Sequence, residues 1–316
     1  MPSELLELST PSLDLLDRFM VAVEEARSAR TAGEWREVIR RSRVLREWKH
    51  FLALDPYTRW GMVKPCGYAG DATLMDFAYR HPDIQHHIAS SGDVGAAIYT
   101  RTSTAAQSQS ARQRISVARH LLRRRAALGN QRVMSFASGH AREFEGLSSD
   151  VLAGISRFTP IDNDPSALQV AKAAAGSVHC TPSRRNVVKE HLSDLPQADT
   201  VYSLGLFDYL TEETAVEVLR KMLDRTAPGG VCMIANLARD AANLGYCEAI
   251  MDWWMVTRSE HEMLDLVHSA TGAQGRYVEA TVDRAGCFVY LILRLVCEPA
   301  CAARHPGLVE STRSAQ

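Results

Sequence analysis

"RVMSFASGHAREF", residues 132–144, and "RFTPIDNDPSAL", residues 157–168, decide the reading of this chain. Each opens on a short apolar run suited to a strand and passes at once into small or polar residues that can start a helix. In the first, Ala137, Ser138 and Gly139, with Ala141 beyond, are small enough to leave backbone amides exposed at the strand end. In the second, Asp162 falls 23 positions beyond Gly139, at the corresponding place after the next strand. A small-residue loop followed at that interval by an acid is how nucleoside-containing cofactors are held, because the carboxylate accepts hydrogen bonds from ribose hydroxyls. The dinucleotide pattern Gly-x-Gly-x-x-Gly is absent.

Downstream, the same texture repeats. After "RVMSFA" come a helix from about 141, "RFTPID", the helical "PSALQVAKAAA", then "NVV" as a third strand, "DTVYSLG" as a fourth, the helical "TEETAVEVLRKMLDRT" and "GGVCMIANL". Alternation of this kind predicts βαβ units, hence a parallel sheet covered by helices. After a helix around 259–271, "GRYVEATVD" and "GCFVYLILRLV" are separated by "RAG" and predict an antiparallel hairpin at one end of the sheet. Upstream of 129, apolar residues recur at helical spacing in "LLDRFMVAVEEARSA", "EWREVIRRSRVLREWKHFLAL" and "ARQRISVARHLLRRRAAL". "TRTSTAAQSQS" is a polar segment, either a loop or a loosely packed helix. The expected organisation is a helical domain over 1–128, an α/β domain over 129–297 and a flexible tail over 298–316.

Composition excludes more than it selects. With 316 residues, 46% apolar and 23% charged, and a net charge of -1, nothing global points to nucleic acid or an anionic membrane. The run Arg123-Arg124-Arg125 sits near a helix end and complements its dipole. No apolar run approaches the ~20 residues of a membrane span, and the acidic start "MPSELLELSTPSLDLL" does not read as a leader; a cytoplasmic protein is expected. Seven scattered cysteines, without a Cys-x-x-Cys pair, support neither a disulfide framework nor a zinc site. His81, His86 and His87 read as a solvated helix rather than a metal centre, and no metal is expected.

With these residues in view, the chain resembles class I S-adenosylmethionine-dependent methyltransferases over residues 130–296. That family's first loop usually reads acidic-x-Gly-x-Gly-x-Gly; here Ser135 stands at the acidic position and Ala137 and Ala141 at two of the glycines. "GYAGD" (67–71), "SFASGHARE", "VYSLGLFDYLTEE", "APGGVCMIANL" and "DWWMVTRSEHEM" are similar to a bacterial subgroup labelled 3-hydroxy fatty acid (extracellular factor) methyl ester biosynthesis proteins. The resemblance implies a Rossmann-like sheet, S-adenosylmethionine as co-substrate and a small-molecule acceptor, methylated on oxygen or nitrogen in a natural-product setting. It implies that Asp162 binds the ribose, that Asn163 assists near adenine, and that Glu190 and His191 are candidates for the adenine edge.

Because the sulfonium is already activated, such an enzyme chiefly aligns nucleophile, methyl carbon and sulfur. A carboxylate acceptor needs no base, whereas a hydroxyl or protonated amine does. In "LGLFDYL", Gly205 allows close approach, Phe207 could lie against the donor, and Asp208 or Tyr209 could touch the acceptor; the alternative is a turn with a helix cap. "KPCGYAGDATLMDF" (64–77) raises a similar choice. It is a capped turn, or part of a helical cover in which Tyr68 orients a ligand and Asp71 holds an ammonium or takes a proton. Arg59, Trp60 and Trp254 would supply an anion clamp and apolar wall, or simply pack. Two other readings stay open: a catalytically silent module that binds a nucleoside or partner, and aminopropyl transfer on the same fold. A monomer and a homodimer are equally compatible.

Overall fold

Gln131–Phe136 forms β1, whose burial is nearly continuous, as a strand covered on both faces requires. The computed structural model describes residues 7, 8, 10–272, 278–296 and 309–310, and divides into two units. The first takes residues 1–112 and 241–254, the second 113–240 and 255–316. The sequence reading placed the boundary at 128 and left 241–254 with the sheet; in the structure that segment clusters with the helical unit.

In the helical unit, α1 (Leu16–Ser28) buries Phe19, Met20, Val23 and Ala26 along one stripe. The single helical pattern expected over 34–54 is two helices, α2 (Ala32–Arg41) and α3 (Arg43–Leu52). Ser42 breaks it: its backbone is extended and its hydroxyl accepts the Leu45 amide at 3.1 Å, capping α3. Trp48 of α3 stacks on Phe19 with ring centroids 4.0 Å apart. There follow α4 (Pro56–Val63), α5 (Ala72–Tyr79), α6 (Gln85–Ala89) and α7 (Gly92–Thr102), with α8 (Ala106–Ala126) running on into the second unit. The polar segment 100–110 is thus the end of one helix and the start of another.

In the second unit, the part of α8 beyond 112 buries Ile115, Ala118, Leu122 and Ala126, a ladder of three- and four-residue steps that makes one face. Its last turn carries Arg123, Arg124 and Arg125, as dipole complementarity expects. After β1 the chain passes through turns rather than the helix expected from 141; only α9 (Ser149–Ala153) is helical before β2 (Ile155–Asp162). Asp164 caps α10 (Pro165–Ala174), with proline in its first turn where no amide is needed. The third strand, β3, is Ser183–Arg184; "NVV" lies in a turn held by the Asn186 carboxamide, which accepts the amides of Val188 and Lys189. β4 (Ala198–Ser203), α11 (Glu212–Arg225, capped by Thr211) and β5 (Thr226–Leu237) follow as expected. In the helical unit α12 is Leu244–Ala249, and in the sheet unit α13 is Glu260–Thr271, closed by a Ser259–Glu262 capping box.

The hairpin is present as β6 (Val278–Ala285) and β7 (Phe288–Leu295), paired antiparallel through Ala285↔Phe288. The sheet order is β3-β2-β1-β4-β5-β7-β6, and the backbone of Val309–Glu310 adds a short β8 parallel to β6. Among these strands β7 alone runs antiparallel to its neighbours. The order reverses between β1 and β4, which places a crevice at their carboxyl ends. Apart from 309–310, the expected tail over 298–316, with Cys301, lies outside the described residues, as do Cys297 and the start of "GRYVEATVD".

Candidate donor-binding site at the strand ends

The loop after β1 is strained by design of its sequence. Ala137, Gly139 and Ala141 all adopt left-handed backbone, with φ of 50°, 51° and 50°. Only glycine accepts that region freely, so the two alanines cost about 1–2 kcal/mol each. What holds the loop is hydrogen bonding to β2: the Ser138 amide donates to Ile161 O at 3.0 Å, and the Gly139 amide to Asp162 Oδ2 at 2.9 Å. Asp162 Oδ1 accepts the Asp164 amide at 3.0 Å. The Asp162 side chain is buried, and burial pushes its carboxyl above the ordinary range against these amide bonds. The spacing that singled out Gly139 and Asp162 therefore corresponds to a direct contact. Ser138 is half-buried beside them, and Asn163 is exposed, its carbonyl accepting Arg184 Nε at 3.4 Å.

Glu190 and His191 lie beyond β3. Glu190 Oε1 accepts the Asn186 amide at 2.7 Å, its other oxygen lies 3.5 Å from Arg185, and His191 is exposed.

After β4, Gly205 packs against a guanidinium: a Cβ there would sit 3.4 Å from Arg114 Nη1. Arg114, buried on α8, donates to Leu204 O at 2.7 Å and lies 3.8 Å from Asp208 Oδ2. Phe207 is wholly buried in the hydrophobic core, while Tyr209 is partly exposed. Asp208 is buried and spends Oδ1 on the Leu237 amide at 2.6 Å, tying the end of β4 to the end of β5. Burial pushes its carboxyl up to about 7, opposed by the charges of Arg114 and Arg258 and by that amide. Arg258 completes the knot, donating to Phe207 O at 2.9 Å, Asn236 Oδ1 at 2.5 Å and Leu210 O at 2.7 Å. On the neighbouring side, the Tyr202 hydroxyl of β4 donates to the buried Glu143 carboxylate.

Arg114, Arg258, Asn236, Tyr202 and Glu143 were missed in the sequence. Arg114 reads there as one more charge on a basic helix, and Arg258 as the residue before a helix cap; only their burial reveals them. Glu143 was visible within "SFASGHARE" but carried no spacing signal of its own.

The helical unit holds the remaining candidates. Asp71 is buried and caps α5 through the Leu74 amide at 2.9 Å. Its two oxygens share the Trp60 indole N–H at 3.1 and 3.0 Å. Tyr68 is 42% exposed, between Gly67 and Gly70 at φ of 82° and 79°, so the glycines serve left-handed turns. Arg59 is exposed, and its charge helps keep His87 below the usual histidine range after burial and His86. Trp254 donates to Asp252 Oδ1 at 2.8 Å, with Arg36 stacked 3.8 Å over its ring. His81, read in the sequence as part of a solvated helix, stands with Asp76 and Asp83, one ligand atom from each lying within 4.8 Å of the others. Its Nδ1 accepts the Asp83 amide at 3.2 Å, closing a local turn.

No protein-family model and no curated protein matches the chain. Solved structures do. A possible exported protein from Bordetella parapertussis is 18% identical over 85% of this chain and 98% of that one, with a TM-score of 0.59. Magnesium protoporphyrin IX methyltransferase (ChlM) from Synechocystis PCC 6803 with bound SAM is 11% identical over 60% of this chain and 81% of that one, TM-score 0.42. N-methyltransferase NodS from Bradyrhizobium japonicum WM9 is 17% identical over 60% and 97%, TM-score 0.42. No helix among the described residues is long and apolar enough to cross a membrane. At that identity the likeness to the Bordetella structure is one of fold, and the strand order describes it: a parallel sheet running β3-β2-β1-β4-β5, with an antiparallel β7 inserted between β5 and β6, is a Rossmann-like α/β sheet.

Proposed function

We propose that this chain is an S-adenosylmethionine-dependent methyltransferase acting on a small-molecule acceptor through oxygen or nitrogen. The observation that carries the reading is the contact between Asp162 and the Gly139 amide at the point where strand order reverses. A buried acid there, with its inner lone pairs satisfied by amides, is set to receive two sugar hydroxyls. Asn163, Ser138 and the Gly205 loop are the remaining donor contacts in this reading, and Glu190 and His191 the adenine-side ones. The helical unit, with Arg59, Trp60, Tyr68 and Trp254, is assigned to acceptor recognition.

Two roles take a definite form. Asp71 already accepts an amide and an indole N–H, which suits a carboxylate that fixes the 64–71 segment and Trp60 better than one that collects a proton. Asp208, with a carboxyl near 7, is the stronger candidate for a group that exchanges protons. A carboxylate acceptor such as the methyl ester subgroup would use needs neither.

The test is formation of S-adenosylhomocysteine from S-adenosylmethionine, followed with panels of carboxylate, hydroxyl and amine acceptors. Turnover with one class supports the reading and names the chemistry. Tight binding of the coenzyme with no turnover on any class favours the silent module.

A further inference from the structure

Three short helices of the helical unit bring basic and aromatic side chains to one place. The His87 ring of α6 meets Trp60 of α4 edge-on, with centroids 5.3 Å apart, and Phe77 of α5 at 5.5 Å. His86 packs on His87 from the same helix, ring centroids 3.9 Å apart. Arg59, beside Trp60 on α4, reaches His87 by charge. Phe77 is wholly buried, His87 half-buried, and Arg59 and His86 are exposed, so the group runs from core to solvent.

What this group lacks is an acid of its own. Arg27, Arg40 and Arg101 of the same unit each have a carboxylate partner, in Glu248, Glu37 and Asp17. Among the described residues, no hydrogen bond or ion pair engages the Arg59 guanidinium or the ring nitrogens of His86 and His87. Asp71 bonds to Trp60, but its oxygens already accept the indole N–H and the Leu74 amide. Burial, then His86, then Arg59 keep His87 below the usual histidine range, and no acid offsets them. Like charges gathered in this way oppose one another until an anion joins them. The fixed charge of Arg59 disfavours a metal ion on the two imidazoles, and a guanidinium beside them suits an oxyanion.

We propose that Arg59, His86 and His87 form an oxyanion site, which holds a carboxylate or phosphate group of the acceptor while Trp60 backs the acceptor's apolar part. The site's assignment to the acceptor rests on the methyltransferase reading above; its affinity for anions does not. Arg59 supplies a charge that is present at every working pH, and the two imidazoles add theirs as pH falls. Phe77, buried behind His87, fixes the ring at the edge of the Trp60 indole.

Three probes test the site on the full chain without donor: benzoate, phenyl phosphate and the neutral benzamide, each with a ring for Trp60. By calorimetry the better anion should bind at least about tenfold more tightly than benzamide, and Arg59→Gln should remove about that factor while leaving benzamide within about twofold. Tighter benzoate assigns the site to carboxylates, tighter phenyl phosphate to phosphates. Benzoate should also raise the pH at which His87 takes up its proton, read from ring signals identified with His87→Asn. Arg59 is exposed and unpaired, so its loss should spare the fold; His86→Asn gives a second, smaller loss on the same ligands. Equal affinity for benzamide and both anions, or anion binding that Arg59→Gln leaves alone, overturns the proposal. In turnover, Arg59→Gln should raise KM about tenfold for an anionic acceptor and keep kcat within about twofold. If anions bind as expected and that KM does not move, the acceptor assignment is wrong and the anion site stands. If no acceptor turns over, the methyltransferase reading fails and the acceptor assignment with it, while the calorimetry still decides the anion site.

Discussion

The Gly139 amide and the Asp162 carboxylate are joined by a 2.9 Å hydrogen bond across the ends of β1 and β2. One acid thus shapes the loop whose backbone would face a ligand. Asp162→Asn keeps the shape but aims an amide group at an amide donor on one side. It should destabilise the protein by about 1–3 kcal/mol, the cost of a buried group left unmatched. Urea unfolding at neutral pH measures it.

Ala137 occupies left-handed backbone and is only half-buried. Ala137→Gly removes the steric cost there and adds back chain entropy, for a net gain of about 0.5–1 kcal/mol. The thermal midpoint should rise with no change in unfolding cooperativity. Ala141 has the same φ but is buried, so the lost methyl contacts should cancel most of the gain at that position.

Arg258 binds three acceptors from two stretches of chain, Phe207 and Leu210 after β4 and Asn236 in β5, and its charge faces Asp208. Arg258→Met should cost about 3–5 kcal/mol, because it strands a buried carboxylate, two main-chain carbonyls and the Asn236 amide oxygen. Adding Asp208→Asn should restore part of that loss in a double-mutant cycle. Strict additivity would show that the pair is not coupled.

Asp208 gives the stability a pH dependence of definite sign. A carboxyl whose folded pKa lies above its unfolded one holds its proton more tightly when folded. Its contribution is therefore complete below the ordinary value of 3.8 and is lost as pH rises through about 7. Between pH 5 and pH 8, Asp208→Asn should flatten this part of the unfolding curve, read as the difference in urea midpoint from the unaltered protein at each pH. A slope unchanged by the substitution contradicts the assignment.

In the helical unit, Asp71→Ala removes the cap of α5 and the acceptor of the Trp60 indole. A loss of about 1–2 kcal/mol is expected from the cap alone. Asp71→Asn can still cap, so it should recover most of that stability; if it also keeps turnover, Asp71 is not the proton acceptor.

Much of the sheet could be read in advance because its strands are apolar on both faces and its helices announce themselves. Thr211, Asp164 and Ser259 each cap the helix that the pattern predicted. The failures have local causes. "NVV" looks like a strand, but Asn186 folds its side chain onto the next amides and the pairing passes to Ser183–Arg184. The helix expected after Ala141 gives way to turns, since Ala141 is left-handed and Gly146 follows at φ 74°. For the site, the Gly139–Asp162 interval was legible because it is set by one strand and one loop. The arginine and tyrosine partners of Asp208 and Glu143 were not, since they come from residues 50 to 94 positions away and only the closed fold brings them together.

The central claim is that Asp162 anchors the sugar of an S-adenosyl ligand. Titration calorimetry with S-adenosylhomocysteine, on the unaltered protein and on Asp162→Ala checked for native circular dichroism, tests it most directly. The account predicts saturable one-to-one binding that weakens by about a hundredfold in the variant, the loss of two hydrogen bonds to a charged acceptor. No heat with the unaltered protein, or equal affinity in the two, would contradict it.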